Sequence, residues 1–199
     1  MSSIKLTADS GGGTFELKAP SSGSNARVLT VPDTADGTIL TTTNPKAGNV
    51  IQVKQAVKLD SFSTTSTTAV DVTGLSVEIT PTSTSSKILV MVSMAMGTDD
   101  ANFTYGVLKR GSTQIGEADG ASNRIRPTFM CYDSNEGQMH MESFTFLDSP
   151  NTTSATTYKM QVQCASAGNA TVGKSFRDLD TTQFDPRCSS TLTVMEVAV

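Results

Sequence analysis

The chain has no tryptophan, one histidine and three cysteines among its 199 residues. The cysteines, Cys131, Cys164 and Cys188, are odd in number and far apart, with no CxxC pair. That pattern is neither a disulfide framework nor a zinc site. Charge is scarce too: Asp, Glu, Lys and Arg make up 17% of the chain, against roughly 25% in ordinary domains. The balance is acidic, with 15 Lys+Arg against 19 Asp+Glu for a net charge of -4. A generic nucleic-acid binder needs a basic footprint, so that class is excluded. No apolar run approaches the ~18 residues that cross a bilayer as a helix, so membrane insertion is not expected. The opening MSSIKLTADSGGG lacks the apolar stretch of a signal peptide. No GxSxG, P-loop, HExxH or GxGxxG fingerprint occurs. The expectation is a non-enzymatic protein with no catalytic residues, no cofactor and no metal.

What fills the chain is serine and threonine, roughly a quarter of all residues, arranged in two parts. In residues 1–48, short apolar clusters (Ile4 and Leu6; Phe15 and Leu17; Val28, Leu29 and Val31; Ile39 and Leu40) alternate with DSGGGT, APSSGSN, PDTADGT and TTTNPKAGN. Those spacers are turn and loop signals. Each cluster can pair briefly as a strand, but residues this sparse cannot bury enough surface to offset the entropy of ordering. The expectation is an N-terminal arm that becomes ordered by docking, on neighbouring copies or on a larger assembly.

From residue 49 the pattern becomes strict alternation. In VIQVKQAVKLD, Ile51, Val53, Val57 and Leu59 share one parity while Gln52, Lys54 and Lys58 share the other. Period two with one polar face predicts a half-buried strand, apolar side inward. Comparable segments occupy 68–72, 75–79, 87–96, 102–109, 113–118, 128–132, 138–147, 157–164 and 192–199. Breakers separate them, among them Gly74, Pro81, Gly97, Gly111, Gly120 and Pro150. No sustained 3.6-residue period occurs. Nine or ten short strands over residues 49–199 predict an all-β fold, an antiparallel β-sandwich that is jelly-roll-like.

Within that head domain, KILVMVSMAM at 87–96 is apolar on both faces for much of its length. A two-sheet sandwich buries only one face of each sheet, so the second face needs cover. Met91, Met94 and Met96 are the candidate oligomer interface, since methionine packs adaptably. Cys164 follows Tyr158, Met160 and Val162 at period two and reads as core. His140 shares parity with Glu142, Phe144 and Phe146; a structural or interface role outranks an acid–base pair. Recognition on sandwiches commonly sits in loops. The candidate receptor-binding residues are accordingly Asp99, Asp100 and Asn102, the alternating Arg124 and Arg126, and the ring-bearing Phe176 and Phe184. Asp178, Asp180 and Asp185 lie close in sequence, but glycoside hydrolysis needs two carboxyls facing across a cleft, and loop acids at this spacing read as solvated.

The arm segments GGTFELKAP (12–20), RVLTVP (27–32) and ADGTIL (35–40) resemble N-terminal arms of tail-fibre and virion structural proteins of tailed bacteriophages. FSTTS (62–66), VTGLSV (72–77), ITP (79–81), SSKILVMV (85–92), FLDSP (146–150) and TLTVME (191–196) are similar to domains common in phages of marine and cyanobacterial hosts. The resemblance spans nearly the whole chain, through short degenerate motifs. It implies a virion protein, often a homotrimer, whose arm binds other phage virion proteins and whose β-rich head faces outward; a host surface glycan is the partner expected only if the loop residues above carry recognition. The long repetitive shaft of an extended fibre is absent from this sequence. A short fibre, a capsid decoration or a tail-adaptor-associated subunit fits the length.

Overall fold

The computed structural model describes the backbone of Ser3–Thr7 and Thr14–Lys18, and residues 45–99, 101–181 and 183–199 in full. The chain divides into two compact units, Met1–Ile39 and Leu40–Val199. In the first, β1 (Ser3–Thr7) pairs antiparallel with β2 (Thr14–Lys18), setting Ile4 opposite Leu17 and Leu6 opposite Phe15.

The second unit carries β3 (Val50–Lys58), β4 (Phe62–Thr64), β5 (Val70–Ile79), β6 (Lys87–Thr98), β7 (Asn102–Arg110), β8 (Thr113–Gln114), β9 (Phe129–Asp133), β10 (His140–Asp148), β11 (Thr156–Cys164), β12 (Ala170–Val172) and β13 (Ser190–Val197). Among the described residues there is no helix. One sheet runs β3-β13-β6-β10, with the short β12 and β4 continuing beside the far end of β6. The other runs β5-β11-β7-β9, with β8 beside the end of β7. Every pairing is antiparallel. Numbering these eight principal strands one to eight along the chain gives sheet orders 1-8-3-6 and 2-7-4-5. That interleaving is the two-Greek-key jelly roll, so the all-β sandwich expectation holds.

Alternation explains the core. The even positions of β6, from Ile88 through Met96, are all nearly or fully buried, as are Leu192 and Val194 of β13. They face Val72, Leu75, Val77 and Ile79 of β5 and Tyr158, Met160, Val162 and Cys164 of β11. Two strand expectations change. Segments 68–72 and 75–79 form one strand, because Gly74 takes φ 88° and lets β5 pass a register irregularity against β11 without breaking. Segment 113–118 is a strand only over Thr113–Gln114, since Gly116 turns the chain at φ 65°.

The structure also corrects two face assignments. Met94 and Met96 are fully buried inside the sandwich, so they are core residues and present no surface to another chain; Met91, of opposite parity, is 41% exposed. In β3 the expected polarity is reversed. Val53, Val57 and Leu59 face solvent, while Lys58 is 2% exposed. The cause is the position of β3 at the rim, beside the start and end of β5. There Lys58 Nζ donates to Thr73 O (2.8 Å) and to Asp60 (2.9 Å), and Gln52 Nε2 donates to Thr80 O (2.7 Å). Backbone carbonyls at that seam suit polar side chains, so Gln52 and Lys58 turn in and Val53 and Val57 are left outside, while Lys54 stays exposed.

Two buried acids tie the layers together. Asp148 of β10 accepts the Tyr158 hydroxyl from the other sheet at 2.6 Å and two bonds from Arg110 Nη1 at 2.8 and 2.9 Å. Glu196 of β13, fully buried, accepts from Gln52 Nε2 (2.6 Å), the Thr82 amide (2.7 Å) and the Thr82 hydroxyl (2.6 Å). Burial pushes the Glu196 carboxyl up, but the hydrogen bonds from Gln52, Thr82 and Ser86 outweigh it, and its pKa lies below the usual glutamate value. A depressed folded-state pKa gives stabilisation that is full above the unfolded value, about 4.3, and is lost as pH falls through the folded value. Glu196→Gln is therefore expected to cost about 1–3 kcal/mol at pH 7 and to flatten the loss of stability on acidification. Urea midpoints of both proteins between neutral pH and the acid limb check this; parallel curves would refute it.

Candidate functional site

The outer face of the β3-β13-β6-β10 sheet is built by the second parity of four strands. Cross-strand register places Leu147, Leu89, Met195 and Val53 in one row, Thr145, Met91, Thr193 and Gln55 in the next, and Ser143, Ser93, Thr191 and Val57 in the third. No charged residue occupies these three rows; Lys87 stands in the next one, opposite Val197, and donates to Ser149 at 2.7 Å. Leu147, Val53, Val57 and Met91 are each between 41% and 54% exposed, and Val50 and Met141 flank them at 53%. Solvent-facing sheet surfaces normally carry the polar residues of the alternation; here six of the twelve positions are Leu, Met or Val and the other six Ser, Thr or Gln. The expectation that the 87–96 strand needs cover on its second face applies here, through Met91 rather than Met94 and Met96.

The other outer face, on β5-β11-β7-β9, is of different chemistry. Phe103 and Tyr105 of β7 lie with ring centroids 6.3 Å apart and planes at 11°, and Tyr132 of β9 lies 4.7 Å from Phe103 at 43°. Gln163 sits opposite Tyr105 in register, and Gln161 donates to Asp71 at 2.6 Å. Sequence reading did not find this strip, because its rings come from separate strands whose adjacency only the pairing reveals.

The loops expected to carry recognition are mostly engaged in holding the molecule together. Asn102 is 6% exposed; its amide donates to Asp99 (3.1 Å), and its oxygen accepts from the Phe103 amide and Ser166. Asp99 and Asn102 are thus brought together, as parts of the β6–β7 turn. Asp100 lies outside the described residues. Arg126 contacts Glu117 at 3.2 Å and donates to Ala118 O, pinning the β8–β9 loop, while Arg124 closes a turn through its amide. Of the arm residues, Ile4, Leu6, Phe15 and Leu17 sit on the β1–β2 pair; Val28, Leu29, Val31, Ile39 and Leu40 lie outside the described residues.

Loop 173–189 carries Phe176, half-buried, and Phe184, 63% exposed. A depression of about 510 Å³ opens between Leu179, Phe184 and Arg187. The loop is shaped by its acids. Asp185 accepts from the Ser175 hydroxyl (2.7 Å) and from Arg177 (3.0 Å), and Asp178 from Lys174 (3.1 Å) and Arg187 (2.8 Å). The Ser175 hydrogen bond, against some burial and with help from Arg177, holds the Asp185 carboxyl below the ordinary aspartate value. For Asp178 burial opposes ionisation, yet Lys174 and Arg187 outweigh it and lower the pKa. Neither acid is the raised-pKa carboxyl that protonates a glycosidic leaving group.

His140 finds a partner that sequence parity did not name. Its Nε2 lies 2.6 Å from Oδ1 of the fully buried Asp133, whose Oδ2 accepts the Thr98 amide at 2.9 Å. Cys131, nearby, is buried, and burial together with the charges of Asp133 and Glu142 pushes its thiol up to about 12. A thiol so held is a poor nucleophile.

No protein-family model matches the chain, and no curated protein matches it. Among solved structures the chain is similar to one from T=1 particles derived from infectious bursal virus, at 10% identity and a TM-score of 0.40, covering 87% of this chain and 41% of that one. It is also similar to a chain of infectious bursal disease virus, Gx strain, at 10% identity and a TM-score of 0.37, covering 94% of this chain and 46% of that one. The chain thus spans less than half the length of either.

The loop geometry makes a prediction. Asp185→Asn removes one charge from two charge-assisted contacts, so amide exchange over residues 175–187 is expected to quicken at least about tenfold while β6 and β13 stay protected. Equal exchange in the two proteins would mean that the ion pairs do not shape the loop.

Proposed function

We propose that the protein is a non-enzymatic virion structural subunit of a tailed bacteriophage, a short fibre or spike whose jelly-roll heads associate through the β3-β13-β6-β10 outer face. One observation carries this reading: a folded sandwich whose core is already filled still exposes Leu147, Met91, Val53 and Val57 on one sheet face, in three rows that hold no charge. Aliphatic side chains of this size contribute about 1.5–3 kcal/mol each when removed fully from water. The intervening Ser and Thr residues add no charge whose desolvation would oppose contact. A face of this kind on a folded domain marks an interaction surface. A cyclic homotrimer would use matching patches on each copy; three-fold symmetry itself comes from the likeness to phage fibre proteins.

Residues 1–48 act in this reading as the anchor. Arm strands such as β1 and β2 can extend a partner's sheet through main-chain hydrogen bonds, which tolerate a polar sequence. Arms tethered to one trimer must then release together, which slows dissociation. A capsid-decoration protein would use the same two devices with the head held against the shell.

Sedimentation of the purified chain tests the assembly face. The wild type is expected to sediment as a trimer, and Met91→Glu with Val57→Lys as a monomer of unchanged circular dichroism, since both positions point to solvent in the single chain. A monomeric wild type, or a mutant of unchanged mass, would refute the interface. Amide exchange over residues 1–48 tests the anchor: protection is expected on particles and not in free protein.

A further inference from the structure

We propose that the outer face of the β5-β11-β7-β9 sheet is a binding surface for a neutral glycan chain, seated on Phe103, Tyr105 and Tyr132 and hydrogen-bonded by Gln161, Gln163 and Asp71. This site is opposite in kind to the assembly face and is independent of whether the protein belongs to a virion. Tyr105 and Gln163 are direct cross-strand neighbours, and Phe103 is paired with Tyr132. Three rings and two amides therefore share one side of three adjacent strands. Tyr132 is 44% exposed and Tyr105 half-exposed. Among the described residues no hydrogen bond engages either phenol hydroxyl or the Gln163 amide, whereas Gln161 and Lys159 are both drawn onto Asp71, at 2.6 and 2.8 Å.

The chemistry of the face selects its occupant. An apolar protein partner would cover the rings but strand the amides and the Asp71 ion pair without water. A nucleic acid or acidic polymer would find no excess positive charge, because Lys109 and Lys159 on this face are matched by Asp71 and Glu78. A sugar chain has what both halves of the surface need: apolar C–H faces to lie on rings, and hydroxyls that donate to carboxylate and amide oxygens and accept from amide nitrogens. The surface is an open sheet face rather than a cleft, so a single sugar gains little and a repeating polymer gains by contacting several heads at once.

Two of the three tyrosines lie on this strip and tryptophan is absent, so intrinsic tyrosine emission reports on it. The experiment titrates the full-length protein with soluble β-1,4-glucan, chitin oligosaccharides, mannan and galactan, following that emission and confirming binding by co-sedimentation with the insoluble polymers. Saturable binding of at least one polymer is expected, weakened about tenfold by Tyr132→Ala and by Gln163→Ala at unchanged melting temperature and oligomer mass. Gln163→Ala is the guard against a folding artefact, since it removes no ring. Failure of all four polymers to bind the wild type, or wild-type binding by both variants, would overturn the proposal. A change of oligomer mass in Tyr132→Ala would overturn it too, by making the strip a contact between copies. The assembly face of the proposed function is tested separately, on Met91 and Val57.

Discussion

A strand has two faces and a two-layer sandwich has one interior. The rest of this structure follows from how the chain resolves that mismatch. β6 is apolar on both parities; its even residues fill the core completely, so Leu89 and Met91 must be placed outside. β3 aggravates the imbalance by turning Gln52 and Lys58 inward at the rim. The result is one outer face on which aliphatic and methionine side chains alternate with Ser, Thr and Gln, with Lys87 in its end row, while the opposite outer face is aromatic and amide-bearing. The two faces differ because different strands supply them, β3, β6, β10 and β13 on one side and β5, β7, β9 and β11 on the other.

Closure of the sandwich depends on ionisable groups held at its seams. Asp148 receives a hydroxyl and a guanidinium from the facing sheet, Glu196 receives three hydrogen bonds near the β3–β5 rim, Lys58 meets a carbonyl of β5, and Asp133 meets a backbone amide of β6. Each would be costly if its partner were lost, because a buried charge retains its desolvation penalty without compensation. Such contacts fix which edge of one sheet meets which edge of the other, a choice that interchangeable aliphatic contacts leave open.

The head's main strands were legible because alternation is a local property. β7, β10, β11 and β13 fall where apolar and polar residues exchange at period two, and β6 holds an apolar run set between the breakers Pro81 and Gly97. Three features were not legible, each for a physical reason. Alternation in β3 marks two faces without saying which one meets the core; the carbonyls of Thr73 and Thr80 decide that, and they are distant in sequence. β12 is three residues long and buried on both sides, too short to show any period. The surface chemistry was read from loops, yet Asn102, Asp178, Asp185 and Arg126 bond within the molecule, and the ring cluster arises only when β7 and β9 are paired. Jelly rolls host many unrelated functions, so the topology alone decides nothing about what either face contacts.

The thiols bear on how copies can be joined. Cys131 and Cys164 are 2% and 1% exposed, and burial raises both above the usual cysteine value, which keeps them protonated and shielded from oxidants. Cys188, half-buried in the loop before β13, is the one thiol of the chain within reach. A single reactive point per molecule has a topological ceiling: oxidation can link two chains and then stops, because neither has a second point to continue from. However crowded the copies become, oxidation of this thiol cannot spread a covalent network through them.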